Sequence, residues 1–241
     1  MSPQGITKSK SGLPLLTNDQ IDQLAEECAF TFFPEMFEKP QPIDPVEFIE
    51  TGLGFDVDYL YLSNCQLYLG MTAFKNIAIP VFDMERFCAT KANIDAGTVI
   101  IDRGLYDKTE YSGNEGRLRF TEAHEAGHCL LHGDFFLNAA NHTKETEQNF
   151  IIGACHSAFL TEEDLAEHQA DQFASCFLIP LTPLKKLLES HHAWNWEDKH
   201  KLLLVKETFN VSWPTAFYRL KKLGFLETQS TSYNWDEFSG Y

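Results

Sequence analysis

The sequence predicts an α+β fold, with a small sheet in the N-terminal half and helices after it. Three observations predict this. Between residues 55 and 102 the pattern is alternating and rich in β-branched and aromatic residues, as in Val57-Asp58-Tyr59-Leu60-Tyr61-Leu62, Ile77-Ala78-Ile79-Pro80-Val81-Phe82 and Thr98-Val99-Ile100-Ile101, which read as strands. From 117 to 132 and from 162 to 180 the apolar residues recur at helical spacing. Past Pro180, residues 183–192 and 196–209 read as helices, and a further helix is capped by Ser212, carries Pro214 in its first turn and has Gly224 after its end.

Composition bounds the class. A chain of 241 residues, 44% hydrophobic and with 20 phenylalanines, can bury a substantial core. No apolar run approaches the roughly 18 residues that a membrane span needs. The opening MSPQGITKSKSG has no apolar core behind its lysines, so it is not read as a secretory signal. Six scattered cysteines with no CxxC pair (Cys28, Cys65, Cys88, Cys129, Cys155 and Cys176) suggest free thiols in a reducing cytosol, so a cytoplasmic location is expected. With 19 basic against 35 acidic side chains, the charge of −16 disfavours direct nucleic-acid contact and speeds encounter with a basic protein partner.

The helix predicted over Arg117–His132 contains His124-Glu125-Ala126-Gly127-His128. Residues four apart on a helix lie on one face about 6 Å apart, so His124 and His128 can offer two imidazole nitrogens to one ion. Glu125 projects about 100° round from His124, which suits a carboxylate that works on water beside a metal without binding the metal itself. Thr121 is the expected N-cap. Gly127 costs about 1 kcal/mol relative to alanine in a helix interior, so something is expected to pack against the backbone there. The competing reading is an ordinary amphipathic helix that carries two histidines, and a third ligand decides between them.

Glu167 is the candidate third ligand. It lies on the 162–180 helix, which Thr161 caps and Pro180 ends. Asp171, one turn on, can accept a hydrogen bond from the free ring N–H of a ligand histidine and fix its tautomer. Glu163 competes for the role; Glu167 is preferred for its Asp171 partner and for Ala170, which leaves room beside the first helix. A solvated acidic face is the alternative for this group. His132 continues the four-residue spacing but fails as a ligand, since it lies about 12 Å along the axis from His124. The three-histidine metzincin pattern is absent: Leu131 stands where its glycine would be and Asp134 where its last histidine would be.

Arg119-Phe120-Thr121 leading into HEAGH, then Glu167-His168-Gln169-Ala170-Asp171-Gln172-Phe173-Ala174 and Leu178-Ile179-Pro180, resembles the ImmA/IrrE family of zinc metallopeptidases. Weaker similarity at Gly70-Met71-Thr72, Thr98–Asp102, Phe209-Asn210-Val211-Ser212 and Arg219-Leu220 extends it over roughly residues 44–225. The resemblance implies a zincin-like HExxH domain and hydrolysis of peptide bonds, with site-specific cleavage of a helix-turn-helix repressor that induces mobile-element or stress genes. The separation of 39 residues between His128 and Glu167 (167 − 128) is longer than is common in the family, so an insertion is read into 133–160. No added DNA-binding or sensor domain is read.

The expected organisation is a flexible N-terminus (1–16), an N-terminal helix and linker (17–43), the zincin-like metallopeptidase domain (44–182), a helical, helix-turn-helix-like part (183–226) and a flexible tail (227–241). Thr17 and Gln20 have capping-box spacing for a helix to Phe37, and Asp44-Pro45-Val46-Glu47 opens a short helix ending near Gly52 or Gly54. Gly104, Gly113, Asn114 and Gly116 read as a turn-rich loop. Asp134, His142, Cys155 and His156 can each bind metal. Arg219, Lys221 and Lys222 are available for phosphates if the C-terminal helices bind DNA. In the resulting expectation Zn2+ is held by His124, His128 and Glu167, and Glu125 is the general base. The alternative is a non-catalytic zinc-binding regulator that uses its C-terminal helices for protein or DNA. A helix pair with no metal is the third possibility.

Overall fold

Thr17 caps helix α1 (Asn18–Phe32) with the expected reciprocal pair: Gln20 N donates to the Thr17 hydroxyl at 3.3 Å, and Thr17 N donates to Gln20 Oε1 at 2.9 Å. The helix stops short of Phe37 because Pro34 lacks an N–H and pushes Phe33 out of the helical region, to φ −133° and ψ 56°. The chain restarts as α2 (Glu35–Glu38). Asp44 caps α3 (Pro45–Glu47), which widens into a π-helical segment at Phe48–Leu53 and stops at Gly54, φ 75°. The computed structural model describes residues 6–62, 68–112, 115–138, 161–230 and 232–234.

The strands are β1 (Asp56–Leu60), β2 (Gly70–Ala73), β3 (Ile77–Asp83), β4 (Cys88–Ile94) and β5 (Thr98–Asp102). They form two sheets: a three-stranded one in the order β1-β5-β2, with β1 parallel and β2 antiparallel to β5, and a β3-β4 hairpin. Two strands are invisible to an apolar pattern. β2 has only four residues and begins with glycine, while β4 (CATKANI) is mostly exposed and owes its form to pairing with β3. The expected turn-rich loop is also corrected, since residues Arg103–Ser112 form α4; Gly113 and Asn114 lie outside the described residues.

Helix α5 (Gly116–Leu131) carries the HEAGH segment and begins five residues before Thr121. Thr121 is therefore inside the helix, where its hydroxyl donates to Arg117 O at 3.1 Å. Tertiary contacts hold the start of the helix in place. Arg119 donates to the carbonyls of Asn210 (3.0 Å) and Ile43 (2.5 Å), and a Cβ on Gly116 would sit 2.3 Å from Ser212 N. After α6 (Gly133–Asn138), residues 139–160 lie outside the described residues, and with them His142, Cys155, His156 and most of the expected insertion. Helix α7 (Glu162–Leu178) has the expected Thr161 cap, closed as a capping box by Asp164. Helices α8 (Leu181–Ser190), α9 (Asp198–Phe209) and α10 (Trp213–Lys222) complete the helical half.

One apolar core runs through the molecule, from Ile21 on α1 to Leu226 beyond α10. Its centre is α7, whose Phe173 and Phe177 rings stack on each other at 5.3 Å and meet Phe48 at 6.3 and 4.6 Å. Arg219 is not available for phosphates. It is 1% exposed and forms an ion pair with Asp22 on α1 at 2.7 Å, while its Nε donates to Ile179 O at 2.9 Å. Lys221 Nζ donates to the carbonyl of Thr228. Arg219 is thus spent on packing α10 against α1 and α7 and Lys221 on the segment after α10, while Lys222 stays exposed.

The N-terminal lead is docked from Ile6 onward rather than flexible to residue 16. Lys8 bridges Pro14, Leu15 N donates to Thr7 O at 2.9 Å, and Gly12 (φ 95°) turns the strap back on itself. Leu13 is fully buried against Phe135 of α6 and Ala166 of α7, and Lys8 pairs with Asp134 at 2.6 Å. The burial of one leucine outweighs the polar composition that reads as mobile. Cys28, Cys88, Cys129 and Cys176 are free thiols; Cys65 and Cys155 lie outside the described residues. Among the described residues no helix is long and apolar enough to cross a membrane.

Candidate metal centre

Helices α5 and α7 cross where each carries its smallest residues. A Cβ on Gly127 would lie 3.1 Å from Ala170 Cα and 3.3 Å from its carbonyl oxygen, so the glycine is there to let two backbones meet. That crossing brings His124 and His128 of α5 against Glu167 of α7. His124 Nε2 is 3.0 Å from His128 Nε2 and 3.2 Å from Glu167 Oε2, and His128 Nε2 is 3.4 Å from Glu167 Oε1. Glu163, the competing candidate, is exposed one turn earlier.

These distances test whether the residues fit a metal. A tetrahedral ion with bonds of about 2.0–2.1 Å to nitrogen and oxygen has ligand-to-ligand edges of about 3.3 Å. The three edges present here match it within a few tenths of an ångström, and the set of two imidazoles and one carboxylate is one that zinc accepts. His124, His128 and Glu167 thus form a possible metal site. Burial works to raise the Glu167 carboxyl, but hydrogen-bond contact with His124 and then His128 outweighs it, holding the group well below the usual carboxylate range.

The face behind the donors differs for the two rings. His124 Nδ1 lies 2.9 Å from Asp171 Oδ1. A carboxylate only accepts, so Nδ1 carries a hydrogen, and Nε2, the atom that faces Glu167, is the one whose lone pair a metal would take. His128 Nδ1 instead meets His132 Nδ1 at 3.0 Å, and His132 Nε2 meets Gln169 Oε1 at 3.0 Å. Gln169 Nε2 donates to Pro14 O at 2.8 Å. His132 is fully buried, and desolvation pushes its imidazole down to about 3. The histidine rings are buried while Glu167 keeps 38% of its side chain exposed and Asp171 60%, so the centre opens on the α7 side.

Glu125 is buried beside β2. Thr72 donates to its Oε2 at 2.8 Å, and a Cβ on Gly70 would stand 2.7 Å from Oε1, so only glycine admits the carboxylate at this strand. Oε1 is a buried oxygen with no hydrogen-bond partner among the described residues. Burial pushes the carboxyl up, opposed by the charges of His128 and His124. Cys129 lies 3.7 Å from the Thr72 hydroxyl, and burial pushes its thiol up, which keeps it protonated and unreactive. Thr72, Gln169 and the Pro14 carbonyl were not singled out from sequence. Thr72 had a signal, since it belongs to the Gly70-Met71-Thr72 fragment of the resemblance.

Compared with known families, residues 111–221 match Peptidase_M78, the IrrE N-terminal-like domain. The match begins at the end of α4, so β1–β5 and the N-terminal helices lie outside it although the resemblance reaches back to about residue 44. A comparison with curated proteins finds no match. The matched span contains α5, α7 and all three donor side chains, and it supports the assignment of residues 111–221 to the ImmA/IrrE family.

Proposed function

We propose that the chain is a zinc-dependent endopeptidase in which His124, His128 and Glu167 hold the metal and Glu125 moves the proton. The observation that carries this reading is the triangle of donor atoms at 3.0, 3.2 and 3.4 Å, next to a buried carboxylate. When bound, zinc supplies a Lewis acid that polarises the scissile carbonyl and makes a water more acidic. Glu125 takes the proton of that water on a carboxylate oxygen and delivers it to the leaving nitrogen. Thr72 and Gly70 hold the carboxylate in one orientation, and its burial raises its proton affinity toward that of a useful base. Among the described residues β2 is an edge of its sheet, and an extended peptide added to that edge would run past Thr72 and Glu125.

The substrate class comes from the family resemblance: a helix-turn-helix repressor in the cytosol, cut at one site to release mobile-element or stress genes. The charge of −16 suits capture of such a basic, DNA-binding protein. The test is incubation of the purified chain with the repressor encoded beside it, with and without a chelator, and mass measurement of the fragments. Discrete fragments that vanish with chelator and with Glu125→Gln, a variant that should keep its zinc, are expected. Undiminished cleavage by Glu125→Gln would overturn the role of Glu125. Bound zinc without cleavage of any candidate would instead favour a binding module.

A further inference from the structure

We infer that His132 and Gln169 are positioning residues that fix the tautomer of His128 by a one-way hydrogen-bond relay anchored on the Pro14 carbonyl. This deepens the zinc reading above and rests on it. The direction is set from the far end. A carbonyl oxygen only accepts, so the Gln169 side chain must turn its amide NH2 to Pro14 (2.8 Å) and its oxygen to His132. An amide oxygen also only accepts, so His132 Nε2, 3.0 Å away, carries a hydrogen. The neutral His132 ring then has a lone pair on Nδ1, and His128 Nδ1, 3.0 Å from it, must donate. His128 is left with a lone pair on Nε2, the atom that faces His124 and Glu167. Reversing any one link would place a hydrogen on that nitrogen and remove a ligand.

The anchor is itself held in place. Pro14 belongs to the N-terminal strap, which is fixed by Leu13 buried against Phe135 and Ala166, by Lys8 on Asp134, and by Ser11 Oγ donating to Glu162 Oε2 at 2.6 Å. The strap therefore reaches the metal centre through three side chains without touching the metal.

The test is zinc affinity by chelator competition in the full chain, with 15N NMR of the histidine rings in the zinc-loaded protein. His132→Leu should weaken zinc by about 10–100-fold, the usual cost of losing a group behind a ligand histidine. His132→Asn keeps an oxygen acceptor where Nδ1 sits and should recover most of that loss, and Gln169→Leu should weaken zinc as His132→Leu does. A space-filling role predicts the opposite order, with leucine tolerated and asparagine worse. In wild type the NMR should show His132 protonated at Nε2 and bare at Nδ1. A proton on His132 Nδ1, or equal affinity for wild type and both leucine variants, would overturn the relay; the NMR decides even if a variant fails to fold. A wild-type chain that takes up no stoichiometric zinc would instead sink the metal reading itself.

Discussion

The two histidines of the centre are backed in opposite ways. Behind His124 stands a charged, solvent-facing carboxylate, Asp171; behind His128 lies a buried, neutral chain of His132, Gln169 and the Pro14 carbonyl. An exposed carboxylate orients a ring cheaply, but water and salt screen its charge and can replace its hydrogen bond. A buried relay has no such substitute, because each of its polar atoms loses its partner if a link is removed. The lesson is that of two ligands on one helix face, one can be tuned by charge and the other by packing, and that the second is the more fragile.

The largest way to break the comparison removes what the two rings share. Glu167→Ala should abolish stoichiometric zinc after dialysis, read by elemental analysis, because both imidazoles lose their common partner at once. Next is the crossing that brings the rings to α7. Gly127→Val would drive side-chain atoms into the Ala170 backbone, and a cost of about 1–3 kcal/mol in thermal or urea unfolding is expected, together with weakened zinc.

A remote control keeps stability apart from tuning. Asp22→Asn leaves Arg219 buried without its ionic partner, and a loss of about 3 kcal/mol is expected at pH 7 with zinc affinity of the folded protein unchanged. Burial raises the Asp22 carboxyl, but its hydrogen bond and charge pairing with Arg219 more than offset this and hold it below its ordinary value of 3.8. The contribution is therefore complete above about pH 4 and fades as pH falls through the lower folded value, so the gap between wild type and variant should close in acid melts. The smallest effect is expected for Asp171→Asn, which keeps an oxygen acceptor at a 60% exposed position. It should weaken zinc by less than about 10-fold, below the loss for His132→Leu. A larger loss at Asp171 would reverse the ranking of the two backings.

Much of the centre was legible because helical spacing alone brings His124 and His128 together. The preference for Glu167 over Glu163 rests on Asp171 and Ala170, and in the structure Asp171 touches His124 and Ala170 meets Gly127. Gly127 likewise announced a close approach before its partner was known. What local pattern could not carry was contact between distant segments. Gln169 and Pro14 are 155 residues apart in sequence, so nothing around either residue points to the other. Thr121 looked like a cap because the start of α5 is held by Asn210 and Ile43, which its own neighbourhood does not contain. Strand β4 and the strap were missed for a related reason: one is polar and exists through its partner, the other is polar and docks through Leu13.

The strap also sets an order of events in the making of the protein. Its residues precede by well over a hundred positions the two helices, α6 and α7, that form the groove receiving them, and so they are synthesised before that groove exists. The metal pocket of the nascent chain can hold its two imidazoles on a finished α5 while their surroundings are still unset. Only when the strap folds back over one of the later helices does the pocket acquire its final polarity, a closure over long sequence separation that should come late in folding.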